Sequence, residues 1–257
     1  MLKIITTLTL FLVGMLAKGQ TSEYRTVSEF SKVQVAHGIE LIYTENPVFS
    51  LQVETDNQTL LRNTITEVTG ETLKISLKKG TTITAGETVK VYLSGYDLTA
   101  LEANSNAKIT IVNQLNADHL DIVLKSGATL KGNIKTAGKT KLHAKDGTVF
   151  DGRIEALAVK GNFKDNARIN LTGKAASASF QTSDVALLSA RNFIAGTISL
   201  NAFGKSKAMI HANAKVAVNV ADEAKVTYTG FPERLELNEE AETFKKYDTS
   251  KLVSYND

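Results

Sequence analysis

Residues 120–132 read LDIVLKSGATLKG and residues 140–152 read TKLHAKDGTVFDG, so one pattern returns after 20 positions. In each stretch apolar and polar residues alternate on both sides of a short turn, Ser126-Gly127-Ala128 in the first and Asp146-Gly147-Thr148 in the second. Alternation is typical of half-buried strands, and a fixed period of this length is typical of stacked repeats. The two stretches therefore predict a strand–turn–strand unit that recurs along the chain.

The same turn recurs seven times between Leu98 and Pro232, at intervals of roughly 18 to 21 residues. The turns are Ser105-Asn106-Ala107, Ser126-Gly127-Ala128, Asp146-Gly147-Thr148, Asp165-Asn166-Ala167, Ser183-Asp184-Val185, Gly204-Lys205-Ser206 and Asp222-Glu223-Ala224. Small errors in a regular period indicate coils stacked on coils, with the variation absorbed in loops.

Two columns of residues, one on each side of the turn, predict the interior of this stack. Before the turn the column holds Ala103, Leu124, Ala144, Phe163, Phe180, Ala202 and Val220. After the turn it holds Ile109, Leu130, Phe150, Ile169, Leu187, Ala208 and Val226. Phe180 fits only if its loop is one residue longer than the others. Large and small side chains mix down the first column, as close packing between rungs requires.

These patterns select one repeat architecture. A leucine-rich repeat needs a helical return, a propeller blade needs about 40 residues, and ankyrin-type repeats need helices. We therefore predict an all-β fold, a right-handed parallel β-helix or β-solenoid of about seven coils of ~20 residues. The hand follows from analogy with other parallel crossovers. At about 4.8 Å per coil, the stack is roughly 35 Å long.

A less regular β-rich part, residues 20–97, precedes the solenoid at residues 98–232, and a polar tail or cap follows at residues 233–257. Alternating apolar residues predict its strands: Phe30, Val33 and Val35; Ile39, Leu41 and Tyr43; Leu51 and Val53; Leu73, Ile75 and Leu77; Val89, Val91 and Leu93. Between them, Leu60, Leu61, Ile65 and Val68 recur at helical spacing. This spacing predicts a short helix within Asn57 to Val68, capped by Asp56 or Asn57.

The first 19 residues have the pattern of a signal peptide: Lys3, a short apolar run, and Ala17-Lys18-Gly19 before the predicted cleavage site. No cysteine follows the run to carry a lipid anchor. We expect an exported chain without membrane insertion after cleavage, in the periplasm, on the cell surface or secreted. Cleavage lowers the formal charge from +3 to +1, because two lysines and no acid are lost. A nearly neutral chain does not point to nucleic acid as a partner.

Three segments resemble the head GIN domain family of auto-transporter adhesins, exported Gram-negative bacterial proteins. Residues 30–41, FSKVQVAHGIEL, are similar to the opening of the family, with Glu40 where the name-giving asparagine is expected. Leu73-Lys74-Ile75 resembles a later strand, and Tyr228-Thr229-Gly230-Phe231-Pro232 resembles the closing motif. The resemblance covers about residues 28 to 232, and it implies the solenoid fold, export and an adhesin-like role.

No catalytic or metal-binding motif stands out in the sequence. The four histidines, at positions 37, 119, 143 and 211, lack metal-ligand spacing, and the chain has no cysteine. We therefore predict no cofactor and no metal. The turn acids Asp146, Asp165, Asp184 and Asp222 have two interpretations. They form a carboxylate row for calcium or glycoside chemistry, or they favour tight turns by bonding their own backbone, which the residue pattern favours.

One lysine column precedes three successive turns: Lys125, Lys145 and Lys164. It is either a charge ladder that discourages aggregation or, with Asp146 and Asp165 beside it, a stripe for an anionic glycan. The leading hypothesis is a non-enzymatic exported solenoid that binds a polysaccharide or another cell-envelope component. The alternatives are a carbohydrate-active enzyme that uses the turn carboxylates and a structural cell-envelope module.

Overall fold

Two parallel ladders of β-strands, stacked along one axis, form the body of the protein. The computed structural model describes residues 21–238 and 244–246. The predicted signal peptide and residues 239–243 and 247–257 of the predicted tail lie outside the described residues. The elements are β1 (Thr21–Tyr24), β2 (Lys32–Val35), β3 (Glu40–Glu45), β4 (Ser50–Thr55), α1 (Gln58–Asn63), β5 (Thr64–Thr69), β6 (Thr72–Leu77), β7 (Val89–Gly95), β8 (Ala100–Ala103), β9 (Lys108–Ala117), β10 (Leu120–Leu124), β11 (Thr129–Thr136), β12 (Lys139–Ala144), β13 (Val149–Phe163), β14 (Arg168–Thr182), β15 (Leu187–Ala202), β16 (Lys207–His211), β17 (Lys215–Val220), β18 (Lys225–Thr229), β19 (Arg234–Leu237) and β20 (Phe244–Lys246).

Ladder A contains the strands that precede the turns, and ladder B contains those that follow them. Ladder A runs in the order β6, β2, β8, β10, β12, β13, β14, β15, β17 and β19. Ladder B runs β7, β3, β9, β11, β13, β14, β15, β16, β18 and β20. The long strands β13, β14 and β15 belong to ladder B at their starts and to ladder A at their ends. The predicted all-β solenoid of about seven coils, with a less regular β region before it, is confirmed.

Each turn begins with a residue in the left-handed region of backbone conformation. The φ angle is 59° at Asp146, 55° at Asp165 and 59° at Asp222, with similar values at the other first positions. Gly, Asn and Asp tolerate this conformation best, and a Ser hydroxyl bonds to nearby backbone, which explains why these residues dominate the turns. The third turn residue is fully buried in every coil and is small in the repeats: Ala107, Ala128, Thr148, Ala167, Ala186, Ser206 and Ala224.

The parallel stacking extends beyond the predicted start of the repeats. Strands β2 and β3 form a coil with the same turn, in which His37 has a φ of 61° and Ile39 is fully buried. This coil pairs in parallel with β8 and β9 on one side and with β6 and β7 on the other. Strands β1, β4 and β5 pair antiparallel and cover that end of the stack.

The helix is shorter than its apolar spacing suggests. Asn57 caps it by accepting hydrogen bonds from the backbone N–H groups of Thr59 and Leu60. It ends at Asn63, and the predicted helical positions Ile65 and Val68 lie instead in strand β5, which pairs with β6. The extension to Val68 is therefore wrong. β-Branched residues at positions 64, 65, 66, 68 and 69 favour the hairpin over a further helical turn.

The predicted register of the fifth repeat is wrong, by two residues before the turn and by one residue at the turn and after it. Its turn is Asp184-Val185-Ala186, and Thr182, not Phe180, continues the inner column between Phe163 and Ala202. Likewise Leu188, not Leu187, continues the column after the turn. A polar residue stands at the inner position because the Thr182 hydroxyl lies 2.9 Å from the Ser206 hydroxyl, and both side chains are fully buried.

Part of the predicted C-terminal tail forms further rungs. Strand β19 pairs in parallel with β17, and β20 pairs in parallel with β18. Every residue of β19 is exposed, because no further rung of the described residues packs beyond it.

The turn acids also tie neighbouring coils together. The Asp184 carboxylate accepts hydrogen bonds from the Ser183 hydroxyl, at 2.8 Å, and from the backbone N–H of Asp165 in the preceding coil, at 3.3 Å. Asp222 accepts in the same way from the backbone N–H of Gly204, at 2.8 Å. The tight-turn interpretation expects a bond to the acid's own turn, whereas both of these acids bond to backbone N–H groups of the preceding coil.

The buried pair Thr182–Ser206 is open to a double-variant test. Changing Thr182→Val leaves the Ser206 hydroxyl buried without this partner, which should lower the free energy of unfolding by about 1–3 kcal/mol. The double variant Thr182→Val/Ser206→Ala removes both polar groups and should recover most of that loss. Urea unfolding followed by circular dichroism measures both effects. A double variant that loses as much free energy of unfolding as the two single substitutions added together would show that the two hydroxyls do not stabilise each other.

The hydrogen bonds to Asp184 predict a pH-dependent contribution to stability. The Ser183 hydroxyl, the Asp165 backbone N–H and, more weakly, the Lys164 ammonium hold the pKa of this carboxyl below its ordinary value. Because the pKa is lowered on folding, the stabilisation is complete above the unfolded pKa of about 3.9 and disappears as the pH falls through the folded value. Asp184→Asn should therefore lower Tm at neutral pH and leave it unchanged near pH 2.

The matched control is Asp118→Asn, because Asp118 is exposed and its carboxylate makes no hydrogen bond within the described ranges. This variant should match the parent protein at both pH values. A Tm difference for Asp184→Asn that persists at low pH would show that the carboxylate charge is not what stabilises the turn.

Candidate functional site

The predicted lysine column exists, but other side chains neutralise much of its charge. Lys125, Lys145 and Lys164 occupy equivalent positions, since each backbone N–H donates to the preceding coil of ladder A. The Lys125 ammonium lies 3.2 Å from Glu102, and the Lys145 ammonium lies 3.3 Å from Asp146. The lysine column therefore follows the turns, and two of its three lysines are ion-paired.

The two acids proposed beside the column have different surroundings. Asp146 forms the ion pair with Lys145, whereas the Asp165 carboxylate makes no ion pair within the described ranges. Both begin turns in the left-handed conformation, so their positions follow from the needs of the backbone. Glu102, which pairs with Lys125, was not among the residues that the sequence singled out.

A cavity of about 650 Å³ lies on the opposite side of the turn, along the outer face of ladder B. We call it the outer groove. One edge is the column Val149, Arg168, Leu187, Lys207 and Lys225, and the other is Lys131, Asp151, Asn170, Ser189, Met209 and Thr227. Because side chains alternate between the two faces of a strand, the residue between these columns points inward in every coil.

The floor and walls of the outer groove are largely apolar. Leu187 is 39% exposed, and Val149 and Met209 are half-buried beside it. The Arg191 guanidinium lies 3.0 Å from the Met209 sulfur, which holds that side chain against the sheet. An apolar surface with a few charged groups around it is typical of ligand sites.

The charge of the outer groove is strongly positive. Lys131, Arg168, Lys207 and Lys225 line it, and none of them pairs with a carboxylate in the part of the chain that the structure describes. The single acid lining it, Asp151, accepts a hydrogen bond from the Asn170 amide at 2.7 Å. The groove therefore combines four unpaired cations, one acid and an apolar floor.

One feature of the sequence predicts this groove, but only when the register of the fifth repeat is correct. The sequence pattern predicts Leu187 in the interior, whereas the structure places it in the outward column between Arg168 and Lys207. With the correct register, that column holds cations at Arg168, Lys207 and Lys225 and an apolar side chain at Leu187.

The histidines make structural contacts. His37 Nδ1 accepts from the Leu77 backbone N–H, His119 Nδ1 accepts from the Lys139 backbone N–H, and His211 Nδ1 lies 2.9 Å from the Thr229 hydroxyl. Within the described ranges, no three acidic or histidine side chains are grouped as metal ligands. The same ranges hold no helix of the length and apolarity needed to span a membrane.

Comparison with solved structures supports the architecture. A protein described as a putative adhesin from Parabacteroides distasonis has a TM-score of 0.80 and 18% identity, over 89% of this chain and 97% of that one. One described likewise from Parabacteroides merdae has a TM-score of 0.79 and 16% identity, over 89% and 96%. A third, described as a putative lipid binding protein from P. distasonis, has a TM-score of 0.68 and 16% identity, over 89% and 97%. At such identities the likeness shows the fold.

No curated protein matches the sequence. The family model described as "Putative auto-transporter adhesin, head GIN domain" matches residues 29–232, which includes the irregular N-terminal strands as well as the repeats. The match agrees with the segments at residues 30–41 and 228–232 that resemble the family. The chain therefore belongs to the auto-transporter adhesin head GIN domain family.

Proposed function

We propose that this protein is an exported, non-enzymatic adhesin-like protein that binds an acidic polysaccharide in the outer groove. The observation that carries the proposal is the set of four unpaired cations around an apolar floor. Carboxylates or sulfates of the polymer pair with Lys131, Arg168, Lys207 and Lys225, and the apolar faces of its sugar rings pack on Leu187 and Met209.

The spacing of the cations supports a polymeric ligand. Lys207 and Lys225 lie on adjacent rungs, about 4.8 Å apart, and Arg168 lies two rungs from Lys207, roughly 10 Å away. A polymer with regularly repeated anionic groups meets such a row at several points at once. Simultaneous contacts raise the overall affinity although each exposed ion pair is weak.

The groove is better suited to this ligand than the lysine column of the turns. Lys125 and Lys145 are already paired with Glu102 and Asp146, so a ligand must displace an acid at each position. The column also lies along a turn ridge, whereas the groove is concave and removes more of a ligand from water.

The arrangement of acids supports binding without catalysis. Glycoside hydrolysis needs two carboxylates about 5 to 10 Å apart that flank the bond. Asp151 is the one acid lining the outer groove, and Asp146 and Asp165 belong to the turns. A carbohydrate-active enzyme is the alternative function, and a direct cleavage assay tests it.

Removing groove charge should weaken binding to acidic polymers. For Arg168→Gln/Lys207→Gln, the loss of two exposed ion pairs of up to about 1 kcal/mol each predicts a weakening of roughly 3- to 30-fold. Polygalacturonate and alginate are the probes, neutral dextran is the negative control, and biolayer interferometry measures Kd. Affinity should also fall as salt rises, because salt screens exposed charges.

The matched variant Lys125→Gln/Lys145→Gln removes the same formal charge from the turn column and should leave Kd within about twofold. An equal loss in this control would assign binding to the turn column or to net charge. Failure of the parent protein to retain either acidic polymer would remove the proposal.

The catalytic alternative has its own assay. Incubation of the protein with polygalacturonate or alginate should release no new reducing ends and no unsaturated products. Asp146→Asn/Asp165→Asn should bind these polymers as the parent protein does, because the outer groove is intact. Cleavage by the parent protein that this double variant loses would establish the turn carboxylates as catalytic.

A further inference from the structure

A second cavity, of about 480 Å³, lies where strands β3 and β7 end, close to the capped end of the stack. We call it the aromatic pocket. Phe30 and Phe49 form one corner of it, with ring centroids 5.9 Å apart and ring planes at 72°. Tyr96, which is 56% exposed, adds a third ring, and Leu93 and Leu98 are buried beneath.

The charge of the aromatic pocket is opposite to that of the outer groove. Its charged lining residues are Glu29 and Asp97, and both side chains are exposed. Neither carboxylate has an ion-pair partner among the residues the structure describes, and no lysine, arginine or histidine lines the pocket. An anionic polymer is therefore repelled here.

The rim of the pocket is held in place by Tyr43. Its ring is fully buried, and its hydroxyl donates to Glu45 and lies 2.9 Å from the carbonyl oxygen of Gly95, next to Tyr96. Burial, the hydrogen bond to Glu45 and the negative charges of Glu45 and Asp97 raise the pKa of the Tyr43 hydroxyl far above its ordinary value.

We propose that the aromatic pocket binds a quaternary ammonium group of the choline type. The faces of aromatic rings attract quaternary ammonium groups, and Phe30, Phe49 and Tyr96 all line the pocket. The carboxylates of Glu29 and Asp97 complement the positive charge at the mouth. The proposal does not depend on the outer groove, because the two sites differ in residues, charge and ligand.

Choline chloride is the probe, and 3,3-dimethylbutanol, its uncharged isostere, is the matched ligand. We expect choline to bind and the isostere to bind at least tenfold more weakly, because the shapes agree and only the charge differs. Isothermal titration calorimetry or ligand-observed NMR measures both. Phosphatidylcholine and phosphatidylglycerol vesicles then distinguish a lipid source of the choline group from a soluble one.

Two substitutions test the assignment to this pocket. Tyr96→Ala should weaken choline binding by about 5- to 30-fold, since a cation–ring contact contributes about 1–2 kcal/mol. Asp97→Asn, which keeps the size of the side chain and tolerates the φ of 61° at this position, should weaken it by a similar factor. Phe231→Ala removes an aromatic ring that is 81% exposed and lies outside the pocket, and it should have no effect.

Equal binding of choline and its isostere, no detectable binding of choline, or binding of neutral hexoses in place of choline would each overturn the proposal. Arg168→Gln/Lys207→Gln should bind choline normally. A negative result for choline binding is therefore distinguishable from a negative result for polymer binding in the outer groove.

Discussion

The turn that begins with a left-handed residue and ends with a small buried one fixes the register of the whole stack. Each such turn starts its coil at the same place, so the flanking strands meet equivalent strands above and below. In a β-strand a slip of one residue exchanges the two faces. The turn therefore decides, for every coil, which side chains pack inside and which reach a ligand. Asp184 and Asp222 strengthen this constraint, because their carboxylates bond to backbone N–H groups of the neighbouring coil.

The same constraint decides which side chains the coils present at the surface. Between Ile109 and Val226 the inward side chains are buried and mostly apolar, and they pack into one continuous core. Outward side chains of one column repeat at the spacing of the strands, about 4.8 Å. A solenoid therefore presents rows of regularly spaced side chains, and one edge of the outer groove is such a row, in which Arg168, Leu187 and Lys207 follow one another on successive rungs.

The alternation of residues was enough to predict the strands, the interior and the solenoid, because local pattern and long-range stacking agree in most coils. It failed in the fifth coil, where a buried hydrogen bond between Thr182 and Ser206 replaces an apolar contact and no local pattern shows the partner. It also missed the coil formed by β2 and β3, since the chain from β4 to β7 separates this coil from its neighbour in the sequence. The aromatic pocket joins Phe30, Phe49 and Tyr96, which only the folded chain brings together.

The two cavities show why the net charge of this chain says little about its partners. The whole sequence has a formal charge of only +3, yet the outer groove carries four unpaired cations and the aromatic pocket carries two unpaired acids. Stacking separates these groups, because the outer groove is lined by residues from β11 to β18 and the pocket lies where β3 and β7 end. At physiological ionic strength, charges are screened over about 8 Å, so sites separated by more than this act independently. Positive and negative charges that cancel in the net charge of the chain therefore still give each site its own local charge.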